Sequence, residues 1–255
     1  MADMDNLKHA LSLFSTISLK NMDRVALQNR TDTKFVFEAK LLPKILNDIH
    51  HFYFILEINE KRTNDYQTLY YDTEDLKSYL DHHNGKGNRV KVRFRKYIDS
   101  NLHFLEVKYT NNKGRTIKSR LKVNDFETQL SSASQQFIHD SSTYAKHSLI
   151  PVLWNSFTRL TLVHKTEKER LTIDIDLKFT SFSSKENKVL ENIVVAEVKQ
   201  ERASGNSDFI QAIKKHHIRK SSMSKYCVGT ALLNKNIKRN NFKERILKIN
   251  KLNYA

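Results

Sequence analysis

The stretch "GNRVKVRFRKY" (87–97) alternates charged and apolar residues, which predicts a β-strand. Cations occupy every second position, with valine or phenylalanine between them: Arg89, Lys91, Arg93 and Arg95. Because successive side chains of a strand point to opposite faces, this strand has one apolar face and one cationic face. Cations that recur about every 7 Å along a strand repel each other, so either water or an anionic partner must cover that face.

The same alternation recurs along the chain and predicts a sheet. Strand patterns cover residues 33–39, 66–72, 88–97, 103–110, 115–123, 156–165, 170–179 and 191–200. Short polar turns such as "TNNKG" (110–114) and "KTEKE" (165–169) are typical of antiparallel hairpins. About eight antiparallel strands and a few helices indicate the α+β class, and they could form an open sheet, a sandwich or a closed β-barrel.

Four other regions carry helical or irregular patterns. Apolar residues at three- and four-residue spacing predict helices over 4–28 and 41–58. Residues 125–150 and 205–220 are interpreted as helical or loop insertions. The two amphipathic segments could cover the apolar outside of a barrel.

The charge pattern favours the closed barrel over an open sheet. An ionic face in water is the simpler interpretation of any single strand. A solvated face normally intersperses both signs, whereas here like charges would lie beside each other along and across strands. A closed barrel with inward cations forms a tunnel in which a polyanion neutralises them. In strand 170–177 the alternation assigns Asp174 and Asp176 to the ionic face and Leu177 to the apolar face.

Composition narrows the class of partner. Lys and Arg number 44 against 28 Asp and Glu, a net charge of +16, which implies nucleic acid, a membrane surface or a phosphorylated molecule. Only 5 glycines and 2 prolines occur, and no glycine-rich phosphate loop is present. The single cysteine excludes an internal disulfide and a cysteine-rich zinc site. No aromatic stacking stripe accompanies the basic strands, so nucleic acid is not expected.

Several motifs, in order, resemble a known family. They are "YQTLYYDTEDLKSYLDHHNGKGNRVKVRFRKY" (66–97), "FLEVK" (104–108), "GRTIKSR" (114–120), "AEVK" (196–199) and "SMSKYCVG" (222–229). Together they resemble the VTC (vacuolar transporter chaperone) catalytic domain, bacterial stand-alone type, of the triphosphate tunnel metalloenzyme superfamily. The resemblance covers roughly residues 15–230. It implies a tunnel-shaped antiparallel barrel that transfers the terminal phosphoryl group of ATP to polyphosphate, with Mn²⁺ or Mg²⁺.

The resemblance also implies which residues form the site. Catalytic contacts to phosphate are expected from Lys34, Arg93, Arg95, Lys118, Arg120, Arg159, Arg170 and Lys199. Further substrate contacts are expected from Arg89, Lys91, Lys108, Ser224 and Lys225. The family's metal-binding glutamate matches Glu197, and Glu106 is a second candidate ligand or an ion-pair partner of the tunnel arginines.

Other acidic and polar residues near these motifs have less definite roles. Asp174 and Asp176 could bind metal, but pairing with the cations is preferred. Phe157 stands where family members often have tyrosine, and His82 could touch a phosphate at the tunnel mouth or be structural.

Three segments are expected along the chain: an N-terminal helical segment packing on the barrel (1–30), the tunnel domain (31–230) and a basic C-terminal tail (231–255). No apolar run approaches the ~18 residues of a membrane span, and the start of the chain is acidic, unlike a secretory signal. A cytoplasmic protein is therefore expected, associated with membranes only through a separate membrane-protein partner.

Three functions remain open from the sequence. The first is a polyphosphate polymerase that uses ATP. The second is a tripolyphosphatase or nucleoside triphosphatase, which gives the phosphoryl group to water in the same tunnel. The third is a non-catalytic polyphosphate sensor. ATP and polyphosphate or tripolyphosphate are the expected ligands in each case.

Overall fold

The computed structural model describes residues 4–22, 30–142, 148–201 and 205–254. Its helices are α1 (Met4–Ser12), α2 (Leu19–Met22), α3 (Leu42–Ile49), α4 (Lys77–His83), α5 (Ser132–Ser141), α6 (Asp208–Lys214), α7 (Lys225–Leu233) and α8 (Lys243–Asn253). None of these described helices combines the length and the apolar character that crossing a bilayer requires.

In the described residues eleven strands form one sheet, which confirms the α+β class. They are β1 (Ser15–Ile17), β2 (Thr31–Glu38), β3 (Tyr53–Leu56), β4 (Asn64–Asp72), β5 (Arg89–Tyr97), β6 (Leu102–Thr110), β7 (Thr116–Val123), β8 (Ile150–His164), β9 (Glu169–Ser181), β10 (Asn187–Leu190) and β11 (Ile193–Gln200). The strand order is β2-β11-β9-β8-β4-β5-β6-β7, with β10 on β9, β3 on β8 and β1 on β3. All pairs are antiparallel except β1 and β3.

Two predicted helices are shorter than expected. The predicted helix 41–58 is wrong in its second half, where 53–56 forms β3 and pairs with the C-terminal end of β8. The predicted helix 4–28 ends at residue 12; β1 and α2 follow, and residues 23–28 lie outside the described part. In both segments, strand pairing overrides an apolar spacing that is also compatible with a helix.

Helices cover the outer face of the sheet. One apolar cluster joins α1, α3 and α6 to outward side chains such as Phe35, Leu160 and Ile173. A second cluster joins α5 to Phe94 and Leu105. These residues alternate with the charged ones along their strands, so the ionic side of the sheet is its inner face.

A β-bulge changes the alternation in β9. One β8 residue, Phe157, lies opposite two β9 residues, Asp176 and Leu177, and Asp176 has a left-handed φ of 54°. The alternation therefore placed two residues wrongly: Leu177 is buried on the inner face, in contact with the cluster around Phe157, and Asp176 is exposed to solvent.

The inner face is divided into two halves. In the apolar half, α7 packs against Phe157, Leu177 and Phe179. The other half carries the charged side chains of β2, β4–β9 and β11 that are described below, and we call it the ionic face. The N-terminal end of α7 lies at the boundary, where Tyr226 donates a hydrogen bond to the buried carboxylate of Asp72.

The sheet is strongly curved, but backbone hydrogen bonds do not close it. Among the described residues, β2 and β7 have one neighbouring strand each. Five strands separate β2 from β6, which would place them roughly 29 Å apart in a flat sheet. Yet the charges of Lys34 on β2 and Glu197 on β11 act on the pKa of Lys108 on β6, an effect that screening would remove at that distance. The ionic face is therefore concave, and its two ends approach each other.

Candidate functional site

Strand pairing brings the predicted site residues onto the ionic face. In register, Lys34 lies opposite Glu197, Lys199 opposite Arg170, and Arg93 opposite Glu106. The remaining predicted residues lie on the same side or at the start of α7: Arg89, Lys91, Arg95, Lys108, Lys118, Arg120, Arg159, Ser224 and Lys225. Residues that are far apart in sequence thus share one concave surface.

Glu106 holds two cations in place. Its Oε2 accepts hydrogen bonds from Arg93, at 2.7 Å from Nε, and it forms an ion pair with Lys118. Burial would raise the pKa of Glu106, but Arg93, Arg95 and Lys118 outweigh it and hold the pKa well below its usual value. The Glu106 side chain is only 2% exposed, and its carboxylate is shared between Arg93 and Lys118.

Asp174 forms a second bridge between two cations. Its two oxygens accept hydrogen bonds from Arg159 at 2.5 Å (Nε to Oδ1) and 2.8 Å (Nη2 to Oδ2), and Lys225 at the start of α7 also bonds to it. Arg159 and Lys225 overcome the effect of burial and keep the pKa of Asp174 well below its usual value. This carboxylate pairs with cations, as the sequence favoured, while Asp176 lies away from the ionic face.

Glu197 forms the third bridge, between the first strand and its neighbour. Its Oε1 accepts a hydrogen bond from Lys34, and Lys199 Nζ donates to Oε2 at 2.6 Å. Burial opposes ionisation, but Lys199 and Lys34 hold the pKa of Glu197 far below normal. Its side chain is 18% exposed, against 2% for Glu106, so Glu197 is the carboxylate that a second ligand can reach.

Other cations on the ionic face have no carboxylate partner among the described residues. The Arg95 guanidinium is buried and lies over the rings of Tyr66 and Phe157, at 5.5 and 5.9 Å from their centroids. Burial and the charge of Arg93 lower its pKa. The Nε of Arg170 is buried without a hydrogen-bond partner in the described part of the chain.

Three lysines show the combined effect of burial and of this excess charge. Burial, offset in part by Glu197, lowers the pKa of Lys199 to about 8. Partial desolvation and neighbouring cations likewise lower the pKa values of Lys108 and Lys118 to about 8. An anion bound on the ionic face would favour the charged form of each lysine.

One end of the ionic face is formed by β5, α4 and α7. Lys91 Nζ donates to Ser224 Oγ at 2.9 Å and contacts His82 Nδ1 at 3.0 Å, while Arg89 donates to the Lys86 carbonyl oxygen. Burial, followed by the charge of Lys91, lowers the pKa of His82 to about 3. The imidazole is therefore neutral, and its Nδ1 accepts a hydrogen bond from the Lys91 ammonium group.

Arg120 is the most peripheral of the predicted catalytic cations. It lies on the edge strand β7, exposed to solvent, with its guanidinium 5.1 Å from the Phe104 ring centroid. Arg120 lies opposite Glu106 in register, but its guanidinium forms no ion pair with the three bridging carboxylates among the described residues.

Tyr66 and Tyr70 are inner-face residues that the sequence reasoning did not select. Tyr70 accepts a hydrogen bond from Arg93 Nη1 at 3.3 Å, and Tyr66 stacks on Phe157 with the Arg159 guanidinium 5.0 Å from its centroid. Burial would raise the pKa of Tyr70, but Arg93 and Arg95 outweigh it and lower the pKa. The alternation in "YQTLYYD" (66–72) was the available signal, because it places both phenols on the face opposite Leu69.

A divalent metal would find few protein ligands here. Within the described residues, no group of three or more His, Cys, Asp or Glu side chains could hold such an ion. One carboxylate is enough where phosphate oxygens and water complete the shell. Glu197 fits that role because it is the reachable carboxylate among the three bridges.

Comparison with known proteins gives one family match. A family profile described as "VTC domain" matches residues 29–234. No curated protein matches the chain.

Several solved structures are similar at low identity. A candidate adenylyl cyclase from Hippeastrum, described as having a dominant triphosphatase activity, is 12% identical with a TM-score of 0.48, covering 80% of this chain and 96% of that one. A candidate adenylate cyclase from Vibrio parahaemolyticus is 11% identical with a TM-score of 0.44, covering 77% and 96%. A conserved hypothetical protein from Pyrococcus furiosus is 11% identical with a TM-score of 0.41, covering 77% and 99%.

Proposed function

The chain belongs to the VTC domain family, and from that membership we propose that it is a polyphosphate polymerase. In the proposed reaction, a terminal oxygen of the polyphosphate chain forms a bond to the γ-phosphorus of ATP. The bond from that phosphorus to the β–γ bridging oxygen breaks, and ADP leaves with the electron pair. The curved sheet would enclose the reacting chain as a tunnel.

The observation that carries the proposal is the excess of positive charge on the ionic face. Three carboxylates are each shared by two cations, and Arg95, Lys108 and Arg170 remain without a carboxylate among the described residues. Arg95 is buried, and a buried cation is costly unless an anion pairs with it. A linear chain of phosphates supplies negative charges at regular intervals along such a face.

Phosphoryl transfer requires alignment and charge neutralisation more than covalent assistance. Arg93, Arg95, Arg159 and Arg170 are proposed to hold phosphate oxygens, because a planar guanidinium can contact two oxygens and keeps its charge. Point charges come from Lys34, Lys118, Lys199 and Arg120, with Lys108 beside them. The terminal phosphate of the acceptor is already ionised, so the proposal requires no general base.

Glu197 is the proposed protein ligand for Mn²⁺ or Mg²⁺. A divalent ion would neutralise charge that develops on the phosphoryl oxygens. Binding it requires Glu197 to release Lys34 or Lys199. Glu197→Gln should abolish metal-dependent turnover, yet tripolyphosphate binding in EDTA should persist or tighten because one negative charge is lost. Glu201→Gln, on an exposed glutamate paired with Lys168, is the control.

The direct test is to incubate the purified protein with ATP and Mn²⁺ or Mg²⁺ and to stain the products for polyphosphate on a gel. A ladder of long polymer is the expected result. Free phosphate without polymer would show a triphosphatase, and tripolyphosphate binding without turnover would show a sensor.

Arg95→Gln is the matched loss-of-function variant. It removes a buried cation without stranding a carboxylate, so the fold should persist while polymer formation and tripolyphosphate binding fall. Lys96→Gln removes a neighbouring charge on the other face of β5 and should change neither. Equal activity of the two variants would contradict the proposed site.

A further inference from the structure

The C-terminal segment after residue 234 lies beyond the family match and packs beside one end of the ionic face. Phe242 is buried, and its ring centroid lies 5.9 Å from that of His82 and 5.2 Å from that of His83. Asn241 N donates to His83 Nε2 at 3.1 Å, and the Tyr79 hydroxyl donates to the Lys238 carbonyl oxygen at 2.9 Å. This segment is therefore held against α4.

The docked segment adds cations to that end of the face. Arg245 lies over the Phe242 ring, with its Cζ 5.5 Å from the centroid, and its charge acts on His82 together with those of Lys91 and Arg89. Arg239 lies close enough to act on the Tyr79 hydroxyl. Neither Arg239 nor Arg245 has an ion-pair partner among the carboxylates of the described residues.

The neutral His82 ring joins the two groups of cations. On one side it accepts from Lys91, which also contacts Ser224 on the ionic face. On its other side lies the ring of Phe242, and the guanidinium of Arg245 lies over that ring. The cationic groups thus continue from the ionic face past His82 onto the C-terminal segment.

We propose that Arg239 and Arg245, with Arg89 and Lys91, form an outer subsite for the part of a long polyphosphate chain that extends beyond the ionic face. The inference rests on the proposed function for the identity of the ligand. It assigns to the C-terminal segment a preference for long chains over short ones.

The test compares binding of tripolyphosphate and of long-chain polyphosphate by isothermal titration calorimetry with the full chain. Arg245→Glu should reduce the preference for the long chain about tenfold, because an attraction is replaced by a repulsion. Arg245→Gln should reduce the preference for the long chain by a smaller factor. This variant replaces Arg245→Glu in the test if the charge reversal perturbs the fold. Lys251→Glu, the same charge change farther along α8, should leave the preference unchanged.

Each outcome separates this inference from the proposed function. If the wild type does not bind tripolyphosphate, the proposed function fails. If it binds both ligands and the preference is insensitive to both Arg245 variants, only the outer subsite fails. Equal loss of affinity for both ligands would also overturn it. A control titration uses a single-stranded oligonucleotide whose charge matches that of the long-chain polyphosphate. If the Arg245 variants lose as much affinity for it as for polyphosphate, the C-terminal segment is a general polyanion-binding surface and the assignment to polyphosphate is wrong.

Discussion

Tyr70 lies where the ionic and apolar halves of the inner face meet. Its hydroxyl accepts from Arg93, its ring contacts that of Tyr226 at a centroid distance of 5.2 Å, and it is almost completely buried. The phenol proton remains available for an anion held by Arg93 and Arg95. We infer that this hydroxyl donates to a phosphate oxygen.

Tyr70→Phe should therefore weaken tripolyphosphate binding by about 10- to 100-fold, the usual effect of losing one hydrogen bond to a charged group. The matched control is Tyr71→Phe, since Tyr71 points to the outer face and its buried hydroxyl has no partner among the described residues. Calorimetric titration of tripolyphosphate into both variants provides the measurement. A loss confined to Tyr71→Phe, or shared by both, would contradict the assignment.

The lysines of the ionic face predict how binding depends on pH. Bound phosphate should raise the pKa of Lys199 from about 8, so binding takes up protons and affinity falls as pH rises through that value. Titrations near pH 8.5 in buffers of different ionisation enthalpy should detect this uptake. Lys199→Arg should reduce it, because arginine remains charged. Affinity that rises with pH would contradict the prediction.

The same lysines have the opposite effect on stability. Their pKa values lie below the ordinary 10.5, so between about pH 8 and that value the folded protein binds fewer protons than the unfolded chain. The lysine contribution to the free energy of unfolding therefore increases with pH across this window.

At the scale of the element, α7 connects the fold to the site. It is buried on nearly all sides, and its first turn carries Lys225, which bonds to Asp174. Gly229 permits its close approach to the sheet: a Cβ there would lie 2.5 Å from Phe179 Cδ1 and 2.9 Å from Leu153 Cδ2. A shift of α7 would displace Ser224 and Lys225 from the ionic face.

Gly229→Ala should lower the free energy of unfolding by about 1–3 kcal/mol, the usual cost of overpacking a core. It should also weaken tripolyphosphate binding through the displaced Lys225. Gly205→Ala is the control, because its Cβ would meet only Lys214 Nζ at 3.9 Å. Urea denaturation of both variants provides the measurement. Equal denaturation midpoints would show that α7 accommodates a methyl group at residue 229 without loss of stability.

The elements also show which parts of the fold could be predicted from the sequence. Alternation is a local property, so β5 and the common face of Arg93 and Arg95 follow directly from "RVKVRFRKY" (89–97). The change from helix to strand at β3 depends on pairing with β8, more than a hundred residues later in the chain. The left-handed Asp176 that moves Leu177 to the inner face leaves no mark in a period-two pattern.

The site could be predicted in part for the same reason. Residue types and alternation indicated a cationic face, and the resemblance indicated which cations to name. The sharing of Glu106, Asp174 and Glu197 between pairs of cations depends on contacts between strands and α7 that no local pattern contains. The predicted site omits Tyr70 because residues were selected by charge, and a phenol is a neutral hydrogen-bond donor.

For the molecule as a whole, a net charge of +16 opposes compaction, and much of the excess is concentrated on one concave surface. A polyanion that binds only the folded state should therefore stabilise it. Tripolyphosphate at about 100 times its dissociation constant should raise Tm by about 5–10 °C. Thermal melts with NaCl at matched ionic strength should show a smaller shift, and so should Arg95→Gln with tripolyphosphate. Equal shifts with NaCl would indicate screening alone.

The three shared carboxylates have a further consequence for a ligand that must move along the face. When a phosphate leaves Arg93, Arg159 or Lys199, the vacated cation still has Glu106, Asp174 or Glu197 beside it. No step therefore leaves an unpaired cation in a poorly hydrated position, a state whose desolvation would cost free energy. A polymer can then advance as each phosphate moves from one cation to the next. The chain as a whole stays tightly bound, while the free-energy barrier to moving each phosphate unit is low.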